Sequence, residues 1–239
     1  MTTSTPARLI LGVVLSICLL SVAAASAATE RVRSSQSLVI LLDAHSVHRD
    51  PSAGSDTTTK LAPQRPITGE PTTLPVIART SGPEGTLWLD VMLPGRPNGS
   101  SGWITGAGTR ELQTSWALTV DLGKRLVRAY LHGRVLRSFP AVVGKPSTPT
   151  PTGQFFVEET LQMSAGEVGG PFALALSARS DALQSFEGGP GQIAIHGRGG
   201  GLGGTLGQAE SHGCVRLETS SIEWLAARIG PGTPVSIYG

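Results

Sequence analysis

Residues 116–122 read WALTVDL. Trp116, Leu118, Val120 and Leu122 recur every second residue, and a period of two puts them on one face of an extended, half-buried strand. Downstream, LVRAYL (126–131) and VLRSFPAVV (135–143) flank His132-Gly133-Arg134, a turn in which Gly133 supplies a positive backbone angle, so the two runs predict a hairpin. His132 then has a sufficient role as a turn residue. GKPSTPTPTGQFFVEE (144–159) reads as a proline-rich loop returning to a strand, and PFALALS (171–177) and QIAIHG (192–197) supply two more strand-like runs. One helix is expected in SSIEWLAARIG (220–230). Ser220 and Glu223 form a capping-box pattern, Ile222, Leu225, Ala226 and Ile229 share a face, and Gly230-Pro231 ends it. The fold class that follows is mostly β: a β-sandwich over residues 115–239 with one C-terminal helix.

Working upstream, TLPVIA (73–78), TLWLDVML (86–93) and SGWITG (101–106) are short apolar runs separated by Pro and Gly. That spacing fits a small SH3-like β-barrel module over residues 61–110. Trp88 and Trp103 are expected in its core, because small barrels need bulky residues inside. PGRPNGSSG (94–102) reads as a hairpin turn, and its Asn98-Gly99-Ser100 matches a glycosylation acceptor, a tripeptide that often arises by chance. Residues 28–60 are expected to be a leader or linker: SLVILLDAHSVHRD (37–50) is a short ordered segment, and PSAGSDTTTK (51–60) has the composition of a loop. At the N-terminus, Arg8, the apolar stretch Leu9 to Val22 and the small residues Ala25-Ser26-Ala27 form an export signal over residues 1–27. An uncleaved membrane anchor is the alternative. Ile17 precedes Cys18, where a lipidation site needs a small residue.

Cutting after Ala27 leaves 18 Lys plus Arg against 17 Asp plus Glu, and such near-neutrality argues against a nucleic-acid partner. It also removes Cys18, so Cys214 is the lone thiol of the exported chain and no internal disulfide can form. Such a thiol is either a buried small residue or a nucleophile kept for chemistry. Its neighbours in AESHGCVRL (209–217) favour the second. A thiol nucleophile needs a base, oxyanion donors and rigid placement. His196, at the end of the run QIAIH, and His212 are the candidate bases, and the amides around Gly213 and Cys214 are candidate donors. Zinc held by His196, His212 and Cys214 is a weaker reading, since the usual paired-ligand spacings are absent. GRGGGLGGTLG (197–207) contains GxGxxG spacing, but seven glycines in eleven residues match many patterns and no clear βαβ unit surrounds them. It reads as a flexible loop beside the site, with the role of a flap.

His196, fourteen intervening residues, then Ser211-His212-Gly213-Cys214 and Val215-Arg216 resemble the signature of the YkuD-type L,D-transpeptidases. The likeness extends over residues 115–239 and takes in Asp121, TPTGQF and FALALS. What it implies is an exported β-sandwich enzyme whose cysteine attacks the peptide bond after the third residue of a peptidoglycan tetrapeptide stem. Terminal D-alanine leaves, and a neighbouring stem's amine resolves the thioester into a 3-3 cross-link. Carried over by position, Cys214 is the nucleophile, His196 the base and Gly197 the backbone that orients it. Ser211, His212 and Gly213 complete the signature, and the amides of Gly213 and Cys214, or of a neighbour, line the oxyanion hole. Arg216 matches a basic position suited to a substrate carboxylate, a solvated surface residue being the alternative. The implied partners are peptidoglycan stem peptides, with carbapenems as inhibitors; no cofactor or metal is implied, and a monomer is expected. Gly197 and Arg198 stand where many relatives carry a small hydroxyl residue, which bears on acceptor preference. Two other functions are open: an L,D-carboxypeptidase that uses water as acceptor, and a non-catalytic wall-binding protein built on the SH3-like part.

Overall fold

The computed structural model of the chain describes residue 1 and residues 32–82, 85–186 and 188–239. Save for Met1, the expected export signal lies outside the described residues. Seven strands come first: β1 (Gln36–Leu41), β2 (His45–His48), β3 (Thr57–Leu61), β4 (Thr73–Ser81), β5 (Leu87–Met92), β6 (Ser101–Thr105) and β7 (Thr109–Thr114). They form one antiparallel sheet in the order β3-β2-β6-β5-β4-β1-β7. Its core is Val39, Leu41, Val47, Leu74, Val76, Leu89, Val91 and Ile104. Trp88 is buried edge-on to His48, whereas Trp103 is half-buried.

Within residues 28–60, expected as leader or linker, the segment read as ordered (37–50) supplies most of β1 and all of β2, and the segment read as a loop (51–60) carries most of β3; the sheet runs on past residue 110 through β7 to Thr114. The side chains of Thr57 to Lys60 are all exposed, so β3 carries no apolar alternation. Its pairing with β2 makes it a strand, with Ser46 opposite Lys60 and Val47 opposite Thr59. Such an edge strand is specified by its neighbour and leaves no period to read.

The second half holds β8 (Trp116–Asp121), β9 (Leu126–Leu131), β10 (Arg134–Pro140), β11 (Val143–Gly144), β12 (Gly153–Gln162), β13 (Phe172–Arg179), β14 (Gln192–His196), β15 (Ala209–Ser211) and β16 (Val215–Arg216). Helix α1 (Thr219–Ala226) and β17 (Pro234–Tyr238) complete it. The main sheet runs β10-β9-β8-β17-β12-β13-β14-β16, with β17 parallel to β8 and β16 parallel to β14. Leu118 and Val127 from one end, and Leu174, Ile195 and Val215 from the other, join a single apolar cluster with Ile222 and Leu225 of α1. The sheet therefore closes over one core as a sandwich, as the alternating runs predict. The expected hairpin is present: His132 and Gly133, both at positive φ, connect β9 to β10, with Arg134 opposite Leu131. β8 is buried on both faces rather than one, and the carboxylate of Asp121 is met by Arg128 at 3.2 Å and by the Lys124 N–H at 2.9 Å. The Ser220 capping box does not form, since the N-cap is Glu218, two residues earlier, and it makes no side-chain cap bond.

β12 belongs to both halves. Phe155 and Val157 enter the C-terminal core while Phe156, on the opposite face, enters the N-terminal one. Glu158 follows on that second face, 1% exposed, and is paired with Arg65 from the N-terminal sheet and with Arg179 at 2.8 Å. Burying a carboxylate at such depth requires both guanidinium partners.

Candidate active site

Parallel pairing of β14 with β16 sets Ile195 opposite Val215 and His196 opposite Arg216. By the same register Cys214, the residue just before β16, falls beside Ala194 in the middle of β14. Cys214, His196, His212 and Arg216 border one cavity of about 390 Å³ whose walls include Met163, Val168, Leu183, Phe186, Ile193 and Leu202. The thiol is half-buried, with Sγ 3.9 Å from the Gln192 carbonyl, and Gln192 in turn donates Nε2 to Glu158 at 3.2 Å.

His196 is 9% exposed, and its Nδ1 lies 2.6 Å from the Gly197 carbonyl oxygen. A carbonyl only accepts, so Nδ1 carries the proton and Nε2 keeps its lone pair. Burial pushes the imidazole below its ordinary pKa, the Gly197 bond opposes that, and the charge of Arg216 adds to the lowering. A neutral ring with one nitrogen fixed as donor can accept a proton at the other.

The turn 211–214 is built from its own side chains. Ser211, fully buried, donates Oγ to the Cys214 carbonyl at 2.5 Å and accepts the Gly213 N–H at 3.1 Å. Gly213 sits at φ 122°, a conformation that favours glycine. From the proline-rich loop, Thr150 Oγ1 donates to the Gly213 carbonyl at 2.7 Å and accepts the Gly144 N–H at 2.9 Å, while Thr148 Oγ1 donates to the Ser211 carbonyl at 3.2 Å. The Gly213 N–H, one of the expected oxyanion donors, is engaged by Ser211 Oγ at 3.1 Å. Among the described residues, no three His, Cys, Asp or Glu side chains group as a metal site would.

The two candidate bases part company. His212 is exposed at the cavity's rim, stacked on Phe186 with 5.7 Å between ring centroids, and its Nε2 lies 3.5 Å from Lys145 Nζ. Arg216 is half-buried, spends one Nη1 bond on the Gly203 carbonyl at 3.0 Å and borders the cavity. The glycine-rich stretch is no free flap at its start. The Gly197 N–H donates to Gly169 at 3.0 Å, the Gly199 N–H to Gly170 at 3.1 Å, and a Cβ on Gly199 would come within 2.6 Å of two carbonyl oxygens. These glycines let two backbones touch behind His196.

The family model for the YkuD L,D-transpeptidase catalytic domain matches residues 115–237. This chain belongs to that family. It is 30% identical over 120 residues to the YkuD protein of Bacillus subtilis strain 168, covering 50% of this chain and 64% of that protein. It is 29% identical over 115 residues to L,D-transpeptidase 1 of Mycobacterium tuberculosis, covering 45% of this chain and 44% of the relative. The chain thus spans less than two thirds of the length of either. Among solved structures, the L,D-transpeptidase LdtMt1 in complex with imipenem is 18% identical, covering 68% of this chain and 98% of that one with a TM-score of 0.41.

In this L,D-transpeptidase-family domain, several residues around the site carried no reading from sequence. Thr150 opens the TPTGQF segment that carries the resemblance, but neither it nor Thr148 had a role assigned, although alternating Thr-Pro hints at hydroxyls presented from a stiff backbone. Phe186, Gln192 and Lys145 reach the site through pairing and loop closure, which no local pattern announces.

Proposed function

We propose that this chain is an exported L,D-transpeptidase that forms 3-3 peptidoglycan cross-links through a thioester on Cys214, with His196 as general base. The observation that carries the reading is the Nδ1–H of His196 held on Gly197, which leaves Nε2 as proton acceptor in the cavity that Cys214 also borders.

Nε2 takes the thiol proton as sulfur attacks the carbonyl carbon of the third stem residue. The C–N bond to terminal D-alanine breaks, and the leaving amine takes that proton from the imidazolium. The neutral amine of a second stem then attacks the thioester, its proton passes to Nε2, and the C–S bond breaks to restore the thiol. The apolar walls exclude water and strengthen interactions with the charges that develop. Arg216 supplies the cation for a substrate carboxylate. His212 acts at the rim rather than as the proton acceptor. Catalysis takes place outside the cytoplasm, where stem peptides are exposed, and carbapenems acylate the same sulfur.

Incubation with a disaccharide-tetrapeptide followed by mass spectrometry tests the proposal. A cross-linked dimer with release of D-alanine is expected. Trimmed tripeptide alone would replace transpeptidation by hydrolysis, and intact tetrapeptide would refute both.

A further inference from the structure

The loop joining β5 to β6 leaves the N-terminal sheet and grips the wall of the cavity. Arg96 donates Nη1 to the Pro190 carbonyl at 2.9 Å, and Nη2 to the carbonyls of Ser180 at 2.7 Å and Leu183 at 3.2 Å. Asn98 pairs with the backbone of Arg179 in both senses, its Nδ2 donating to the carbonyl and its Oδ1 accepting the N–H, each at 2.8 Å. The Gly95 N–H adds a bond to Ser177 at 3.1 Å. Glycosylation at Asn98 would break the pairing with Arg179, so the acceptor tripeptide has a structural use here.

All of these partners lie at the end of β13 or on the connection from it to β14. That connection closes on itself through the Ser180 N–H on Gly191 at 2.8 Å and the Leu183 N–H on Ser180 Oγ at 3.0 Å. It contributes Ser180, Leu183, Phe186 and Gly191 to the cavity that Cys214 borders, and Phe186 stacks on His212. Three carbonyls from separate turns of an irregular segment converge on one guanidinium. Only a rigid fork of donors can hold them together, which a lysine cannot reproduce.

We propose that Arg96 and Asn98 are positioning residues for the reaction: the N-terminal sheet sets the part of the cavity wall formed by Ser180, Leu183, Phe186 and Gly191 and, through Phe186, the place of His212. Only the kinetic arm of the test rests on the function proposed above.

The full-length chain is compared with its Arg96→Ala, Arg96→Lys, Asn98→Ala and Phe186→Ala variants. In ring-selective proton–carbon NMR spectra, Arg96→Ala should move the His212 resonances in the direction that Phe186→Ala does, because stacking is loosened, while those of His45, His48 and His132 stay in place. The second-order rate of carbapenem acylation should fall about 10- to 100-fold, the scale of a misplaced reacting group, while alkylation by iodoacetamide, too small to use the wall, stays at the wild-type rate. Adding Arg96→Ala to Phe186→Ala should slow acylation no further. His212 resonances at wild-type positions in Arg96→Ala, or in Arg96→Lys should the first not fold, overturn the proposal, as does acylation at the wild-type rate in a variant whose resonances have moved. Displaced resonances with no adduct on any form, wild type included, would uphold the positioning role and overturn the function instead.

Discussion

Replacing Thr150 by Val isolates the hydroxyl that ties the proline-rich loop to the cysteine turn. Thr150 is buried, and Val keeps its volume and branching while removing Oγ1. Two backbone groups then lose their partner, the Gly213 carbonyl at 2.7 Å and the Gly144 N–H at 2.9 Å. Leaving a buried polar group unsatisfied costs about 1–3 kcal/mol, so the two together cost about 2–6 kcal/mol, with relaxation favouring the lower half. For a chain of this size about 2–4 °C of melting temperature goes with each kcal/mol, so the lower half of that range corresponds to a drop of about 4–16 °C by calorimetry. Thr150→Ser retains the hydroxyl and should fall by much less. The same Val variant should slow thiol acylation, because the turn that presents Cys214 loosens. A Val variant melting within about 2 °C of wild type, or a Ser variant falling as far, would refute the assignment of these bonds.

Because His196 must be neutral to accept a proton and burial holds its pKa below the ordinary 6.5, the acylation rate should persist as pH falls through 6.5 and decline only below it; an acid limb centred above 6.5 contradicts this. The same lowered pKa contributes stability that is present above 6.5 and lost as pH falls toward the folded value, so urea midpoints should decline on the acid side and His196→Gln should flatten that decline. Glu158→Gln leaves the buried guanidiniums of Arg65 and Arg179 without their shared carboxylate and should cost about 3–5 kcal/mol in urea denaturation, against under 1 kcal/mol if the network were dispensable. Gly197→Ala drives a methyl into the Gly170 carbonyl and should lose about 1–3 kcal/mol of stability along with acylation, whereas a fully active, stable variant would show the close approach is unimportant.

What could be read in advance was what local period and composition encode. Trp116 to Val120 alternate because the strand has a core to face, and Gly133 sits where the hairpin requires a positive angle, so the sandwich was legible. The neighbourhood of Cys214 and His196 was legible too, because pairing of β14 with β16 brings together two segments that each carry chemistry. β3 was not, since its four exposed residues owe their extended form to β2 alone. Ser220 and Glu223 had the letters of a capping box, but the N-cap lies two residues earlier, at Glu218. The start of the glycine-rich stretch was not legible for a related reason: Gly197 and Gly199 look flexible in isolation and are fixed by backbone contact with residues 165–170, which only the fold brings near. Arg65 and Arg96 gave no sign of leaving their own sheet to hold Glu158 and the cavity wall.

The central claim is that one sulfur, Cys214, is activated by His196 for attack on an acyl carbon, and it is tested most directly by peptide-mapped mass spectrometry after incubation with a carbapenem. A single adduct on Cys214 in the wild-type chain is expected, absent from Cys214→Ala and formed about 10²- to 10⁴-fold more slowly in His196→Ala. An unmodified wild-type protein, or an adduct that forms as quickly without His196, would contradict the account.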